Sequence, residues 1–289
     1  MLLPHDPLWP RAASLFSRDN ADGSDLALLG VPASQTSISP SGAHTTPAAI
    51  RSALARYSLA HASPGVDLSN LRLHDAGDVT SPDIDENACV QEIAQIAMKA
   101  RNFIALGGDN SVTYSAFTAS GATGLITLDA HYDLRDGISN GSPVRRLIEA
   151  GLSGKKVVQI GIADFSNSPE YAKRAIEYGI TVIPRSALRG ADLAQVWAHA
   201  LSIAGENVYV DFDMDVCDRA VVPACPAAAP GGISADEMRQ LAFLAGSSHS
   251  VKAIDITEID STIDTADERT VRLAALVILE FAAGLSTRI

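Results

Sequence analysis

Positive charge is scarce in this sequence: 22 lysines and arginines face 34 aspartates and glutamates, a formal net charge of -12. Nucleic acid and anionic membranes both reward a basic face, so neither is the expected partner. Thiols are scarcer still. Cys89, Cys217 and Cys225 are scattered and odd in number, and no pair has zinc-ligand spacing. They read as reduced thiols of a cytoplasmic protein, with Cys217 assigned to packing. Long apolar runs are missing too. The longest, residues 273–285, is broken by Glu280 and too short to cross a bilayer, so it reads as a buried C-terminal helix. Residues 1–11 lack the basic stretch and apolar run of a signal peptide. No repeat, low-complexity tract or linker divides the chain. With 289 residues, 47% of them hydrophobic, a single domain over 1–289 is expected.

What is present is an alternation of two periodicities. Short continuous apolar runs at residues 26–30, 103–106, 125–128, 156–160, 181–183, 208–212 and 253–258 read as strands buried on both faces. Amphipathic stretches at 47–57, 86–100, 143–150, 169–178, 193–204 and 235–245 read as helices between them. Several open with helix-start chemistry, such as Ser168-Pro169, or Ser234 with Glu237 three residues later. The order predicts an α/β fold: a three-layer α/β/α domain around a mostly parallel sheet. In such sheets ligands bind beyond the carboxyl ends of the strands.

Four of the predicted strand ends carry acidic or turn-forming strings: Gly107–Ser111, Asp129–Asp133, Asp211–Asp218 and Asp255–Asp260. In extended backbone, residues two apart share a face. Asp129, His131 and Asp133 therefore converge, as do Asp213 and Asp215. Either string alone could be a solvated, helix-capping turn. Massed together at buried strand ends, the carboxylates repel and lose hydration unless a cation joins them. Oxygen donors with one imidazole suit Mn²⁺ or a similar divalent ion.

These residues resemble the ureohydrolase superfamily, which includes arginase, agmatinase, guanidinobutyrase and formimidoylglutamase. The resemblance runs from about Gly30 to Arg272. It is carried by Gly-Gly-Asp-Asn-Ser at 107–111, Asp-Ala-His-Tyr-Asp at 129–133, and Asp213, Asp215 and Asp218 before the Pro/Gly-rich loop 223–232. Glu258, Gly30-Val31-Pro32 and the segment 47–51 complete it. The resemblance implies an arginase-like fold and two Mn²⁺ ions per subunit bridged by a water or hydroxide. Asp129 and Asp213 would bridge both ions, Asn110 and Asp133 would serve the first, and His131 and Asp215 the second. Glu258 would grip the substrate's N–H groups. Family members assemble as homo-oligomers, and the same is expected here.

Two positions depart from the classical pattern. Position 110 is Asn rather than His, which implies a weaker first ion. Asn140 stands where arginases carry a titratable His before Gly-x-Pro. The second departure, with Asp133-Leu134-Arg135 and the segment 140–145, resembles formimidoylglutamase most closely. N-formimidoyl-L-glutamate is a dicarboxylate, so arginine forks such as Arg135 and Arg145, with Asn140, are the expected substrate contacts. The expected reaction is hydrolysis to L-glutamate and formamide in histidine degradation. The alternatives are a guanidine hydrolase of the agmatinase or guanidinobutyrase type releasing urea, and an inactive homologue serving as a binding subunit.

Simpler readings exist for several of these side chains. Arg135 could pair with Asp136, and Arg145 or Arg146 could lie on a solvated helix face. Asp218 is expected to structure its loop, Asp109 to fix the glycine turn, and Asp211 to support the ligands from behind. His5, His44, His61, His74, His199 and His249 have no motif context, although His44 follows the first strand closely enough to approach the pocket.

Overall fold

The computed structural model describes residues 6–19, 21–63, 65–80 and 82–288. In chain order the elements are β1 (Phe16–Ser17), β2 (Leu26–Val31), α1 (Thr46–Leu54), β3 (Leu73–Asp78), α2 (Glu86–Ala97), β4 (Phe103–Gly107) and α3 (Val112–Ser120). They continue as β5 (Gly124–Leu128), α4 (Pro143–Glu149), β6 (Val157–Ile162), α5 (Pro169–Tyr178), β7 (Thr181–Pro184) and α6 (Leu193–Ala204). The last four are β8 (Val208–Asp213), α7 (Ala235–Ser247), β9 (Val251–Thr257) and α8 (Arg269–Ser286). The strands form one sheet in the order β1-β3-β2-β4-β9-β8-β5-β6-β7. Every pairing is parallel.

Successive side chains of a strand point to opposite faces, and each face has its own core. Leu26 and Leu28 of β2 join Ile104, Ile126 and Val210 on the side that α1, α6, α7 and α8 cover. Ala27 and Leu29 join Phe103, Leu125 and Tyr209 against α2 to α5. The fold is therefore the three-layer arrangement expected. The helix-start signals operate as read: Ser168 accepts from the Tyr171 amide at 3.2 Å, and Ser234 and Glu237 form a reciprocal capping box. Among the described residues no helix is long and apolar enough to cross a membrane.

Three elements escaped the sequence: the two-residue β1, β3 and α3. β3 reads Leu-His-Asp-Ala-Gly-Asp and has no apolar run to betray it. It is held by pairing on both sides, to β1 and β2, and by Arg51, which bonds Asp75 at 3.0 Å. α3 is rich in β-formers (Val112, Thr113, Tyr114, Phe117, Thr118), yet packing on α2 overrides that preference. It ends at Gly121, whose φ of 66° supplies the left-handed cap. The C-terminal helix also starts earlier than the apolar run suggests, at Arg269.

The order of strands positions the site. β4, β9, β8 and β5 are consecutive neighbours in the sheet although they come from different parts of the chain. Their carboxyl ends carry the four acidic or turn-forming strings, which the sheet thus lays side by side.

Candidate functional site

After β4 the chain turns at Gly108. A Cβ there would lie 1.8 Å from the Ala33 carbonyl oxygen, so only glycine lets the two backbones meet. Asp109 then takes the Ser111 amide and hydroxyl on Oδ1 and the Ser37 hydroxyl, at 2.7 Å, on Oδ2. It fixes the glycine turn, as expected, and also holds Thr36 and Ser37. Asn110 follows, fully buried, at the start of α3.

The string after β5 bends back on itself. Asp129 Oδ1 accepts the His131 amide at 2.6 Å, and Asp129 Oδ2 is buried with no hydrogen-bond partner. His131 Nδ1 lies 3.0 Å from Asp215 Oδ2 and 3.4 Å from Asp129 Oδ1. Asp133 adopts a φ of 53°, a left-handed backbone that aspartate tolerates at a modest cost. At the end of β8, Asp213 Oδ1 accepts the Asp215 amide at 2.9 Å, and Asp215 Oδ1 accepts the Ala130 amide at 3.2 Å. Each string thereby holds the other.

The outcome is two overlapping donor clusters. Ligand atoms of Asp129, His131 and Asp215 lie within 4.8 Å of one another, as do those of Asp129, Asp133 and Asp213. Asp129 belongs to both. Electrostatics says what is needed there. Burial, then the charge of Asp215, pushes Asp129 up to about 6. Burial and neighbouring carboxylates push Asp133 and Asp213 well above the usual carboxylate range. Burial alone would lower His131, but Asp215 and Asp129 override it and raise the imidazole to about 12. The cluster thus calls for positive charge. A hard divalent cation fits its oxygen-rich donor set and the unpartnered Asp129 Oδ2.

Glu258 stands beside these clusters at the end of β9 with a φ of 62°. Its Oε1 accepts the Asn110 amide at 2.8 Å and the Asn140 side-chain amide at 2.7 Å. Burial raises it to about 7. Glu258, Asp133, His131, Asp213 and Asp215 all line one cleft of about 490 Å³, whose outer wall includes Ser37, Ser39, Arg135 and Asn140.

The structure separates the two candidate arginines. Arg135 is exposed at the cleft, and among the described residues it has no carboxylate partner. Asp136 pairs instead with Arg174, at 2.8 Å. Arg145, expected at the substrate, is not there. It is buried behind the loop, bonding the carbonyl oxygens of Arg135 and Gly137 and the carboxylate of Glu149. Its planar fork is spent on main chain, because α4 points it into the loop rather than the cleft. Arg146 forks onto Glu86 at 2.6 and 2.8 Å and lies 3.7 Å over the Tyr114 ring. Neither is a solvated helix residue. Asn140 reaches the cleft, but its Oδ1 takes the Ile38 amide and its Nδ2 bonds Glu258. Asn110 adjoins Asp133, with its side-chain nitrogen rather than its oxygen facing that carboxylate, at 2.6 Å.

Other expectations resolve simply. Asp218 receives the Ala220 and Gly231 amides at 2.8 and 2.7 Å and structures its loop. Cys217 is buried packing, its thiol pushed up by burial. His44 is exposed and does not line the cleft. His5 lies outside the described residues. Asp211 is buried one level below Asp213, opposite Asp255 in the strand register. Beneath the site Thr113 bonds Asn110 and Asp255, and Thr257 bonds Asn110; the sequence singles out neither threonine, and Asp255 only as the start of its acidic string. The two-residue spacing along β9 relates Thr257 to Asp255 and would have exposed that threonine, whereas Thr113 lies on α3 and carried no such signal.

Comparison with known proteins agrees with this geometry. A formimidoylglutamase of Halalkalibacterium halodurans is 38% identical over 275 residues, spanning 89% of this chain and 86% of its own. The crystal structure of formimidoylglutamase from Bacillus subtilis superposes with a TM-score of 0.92 at 31% identity, covering 99% of this chain and 94% of that one. Trypanosoma cruzi formiminoglutamase with Mn²⁺ superposes with a TM-score of 0.91 at 26% identity, covering 97% and 100%. The model of the arginase family matches residues 24–284, and the chain with its four acidic strand ends belongs to that family.

Proposed function

We propose that this hydrolase is an Mn²⁺-dependent formimidoylglutamase, converting N-formimidoyl-L-glutamate and water to L-glutamate and formamide. The observation that carries the reading is the shared cleft: two donor clusters joined at Asp129, Glu258 beside them, and a carboxylate-free arginine, Arg135, at the wall. The relatives at 38% and 31% identity support the substrate assignment.

Asp129 and Asp213 would be shared between two ions, with Asp133 on the first and His131 and Asp215 on the second. When bound, Mn²⁺ supplies Lewis acidity, lowering the pKa of a water so that it attacks near neutral pH. The chain's own residues do the rest. Glu258 accepts hydrogen bonds from the amidine N–H groups and stabilises positive charge on the C–N unit. It is held for this by the Asn110 main-chain amide and the Asn140 side-chain amide, which both donate to Oε1 and leave Oε2 for the substrate. Arg135 meets a carboxylate of the glutamate moiety. A cationic substrate such as agmatine would be repelled there. The chain is expected to act as a cytoplasmic homo-oligomer.

The test is an activity panel on Mn²⁺-loaded protein with N-formimidoyl-L-glutamate, agmatine, arginine and guanidinobutyrate. Turnover of the formimidoyl compound alone is the expected result. Turnover of a guanidine compound instead would overturn the substrate, and silence across the panel would favour an inactive homologue. Glu258→Gln should lower kcat by about 100-fold or more, since a neutral amide offers a donor where an acceptor is required.

A further inference from the structure

Asn110 sits on a hydroxyl that two acceptors claim. Thr113 Oγ1 is 2.6 Å from Asn110 Oδ1 and 2.8 Å from Asp255 Oδ2. A threonine hydroxyl has one hydrogen, so it can serve only one of them. Thr257 Oγ1 is in the same position, 3.1 Å from Asn110 Oδ1 and 3.5 Å from Asp211 Oδ1. With the carboxamide as it stands, both hydroxyls turn to Asn110, its nitrogen bonds Asp133 at 2.6 Å, and the two buried aspartates lose a donor each.

Rotating the carboxamide by half a turn exchanges oxygen and nitrogen in place. The two N–H groups then donate to the oxygens of Thr113 and Thr257, whose hydrogens are released to Asp255 and Asp211. Asn110, both threonine hydroxyls, Asp255 Oδ2 and Asp211 Oδ1 then all have partners, and Asp211 Oδ2 alone stays without one among them. One contact becomes unfavourable, because the Asn110 oxygen now faces the Asp133 carboxylate at the same separation. A cation between the two oxygens turns that repulsion into shared ligation.

Resting on the Mn²⁺ reading above, we propose that Asn110 is an amide switch set by cation occupancy beside Asp133, with Thr113 and Thr257 as the positioning residues that permit the turn. Without the cation, nitrogen faces Asp133. With it, oxygen does, and the Thr113 and Thr257 hydroxyls beneath the strand ends turn to Asp255 and Asp211 at the same time. The second state uses Thr113 in two bonds and the first in only one. Removing that hydroxyl therefore works against cation binding.

Calorimetric titration of Mn²⁺ into metal-stripped protein tests this without reference to catalysis. Asn110→Ala and Thr113→Val should each weaken one binding event at least tenfold and leave any other unchanged, while Thr113→Ser restores it. The double variant should bind no more weakly than Asn110→Ala alone, since Thr113 acts through Asn110. Unchanged or tighter binding in Asn110→Ala, or additive losses in the double variant, would overturn the switch. Should Thr113→Val fail to fold, Thr257→Val against Thr257→Ser applies the same criterion. A wild-type protein that binds no Mn²⁺ would sink the metal reading itself, an outcome distinct from metal binding that ignores position 110.

Discussion

Arg145 donates through Nε to the main-chain oxygen of Arg135 at 2.6 Å, so one arginine holds the loop that presents the other. The pair divides labour between a buried fork and an exposed charge. The Arg135 stem lies against Gly141, where a Cβ would come within 2.8 Å of its Cδ. Its head is left to the cleft.

Arg135→Ala removes the charge and little else. KM for N-formimidoyl-L-glutamate should rise by about 30- to 150-fold, the worth of a charge-assisted hydrogen bond of about 2–3 kcal/mol, with kcat changed far less. Steady-state kinetics decides the matter. An unaltered KM would place Arg135 outside the substrate site.

Arg145→Lys keeps the charge of the buried residue but loses its fork. Lysine cannot reach the oxygens of residues 135 and 137 and the Glu149 carboxylate together. The loop should loosen, raising KM several-fold while Arg135 is still present, and thermal stability should fall by about 2 kcal/mol. If KM stayed fixed while stability fell, Arg145 would support the fold but not the site.

These two arginines mark where the sequence stopped being informative. Their neighbourhood in the chain pointed to a carboxylate pocket, but a helix turn decides which of them faces it. Sequence spacing carries no such direction. The acidic strings were legible by their composition, but not by strand alternation. Residues 129–133 lie beyond β5 in a bent segment with Asp133 left-handed, and Met214–Val216 form a 3-10 turn, so local side-chain-to-amide bonds rather than the pleat gather these groups. That four separated strings would meet depended on β9 and β8 lying between β4 and β5, and strand order is a property of the assembled sheet. β3 was illegible for another reason: its stability comes from its neighbours and from Arg51 rather than from apolar residues of its own.

Arg51 leads to a pH prediction far from the cleft. Burial would raise the Asp75 carboxyl, but the Gly77 amide and the Arg51 and Arg18 guanidinium groups override it and hold it below its ordinary 3.8. A depressed acid contributes stability that is present above its unfolded value and is lost as pH falls through the folded value. Asp75→Asn should therefore cost about 2 kcal/mol at neutral pH, with the gap to wild type closing as pH falls below 3.8. Denaturant melts at several pH values would show it. A gap independent of pH would mean that the charge of Asp75 contributes nothing.

Asp129, Asp133, Asp213 and Glu258 shift the opposite way, whereas at Asp215 the His131 charge overrides burial and holds the carboxyl low. Metal removal should reveal the raised set. Asp129 is raised to about 6, Glu258 to about 7, and Asp133 and Asp213 well above the ordinary range. The folded, metal-free chain thus holds protons that the unfolded chain has already released. The contribution of these groups to stability should be fullest below the ordinary carboxylate values and fall as pH rises toward the raised ones. Mn²⁺ must displace the same protons, so its affinity should climb over that interval. At about 100 times Kd the ion adds about 2.7 kcal/mol per site, which corresponds to a Tm gain of about 4–5 °C per site near pH 8 for a chain of this size. The gain should shrink toward pH 5 as protons hold the carboxylates. Differential scanning calorimetry with and without Mn²⁺ across this range is the check. A gain that did not depend on pH would mean that the ion binds away from the buried carboxylates.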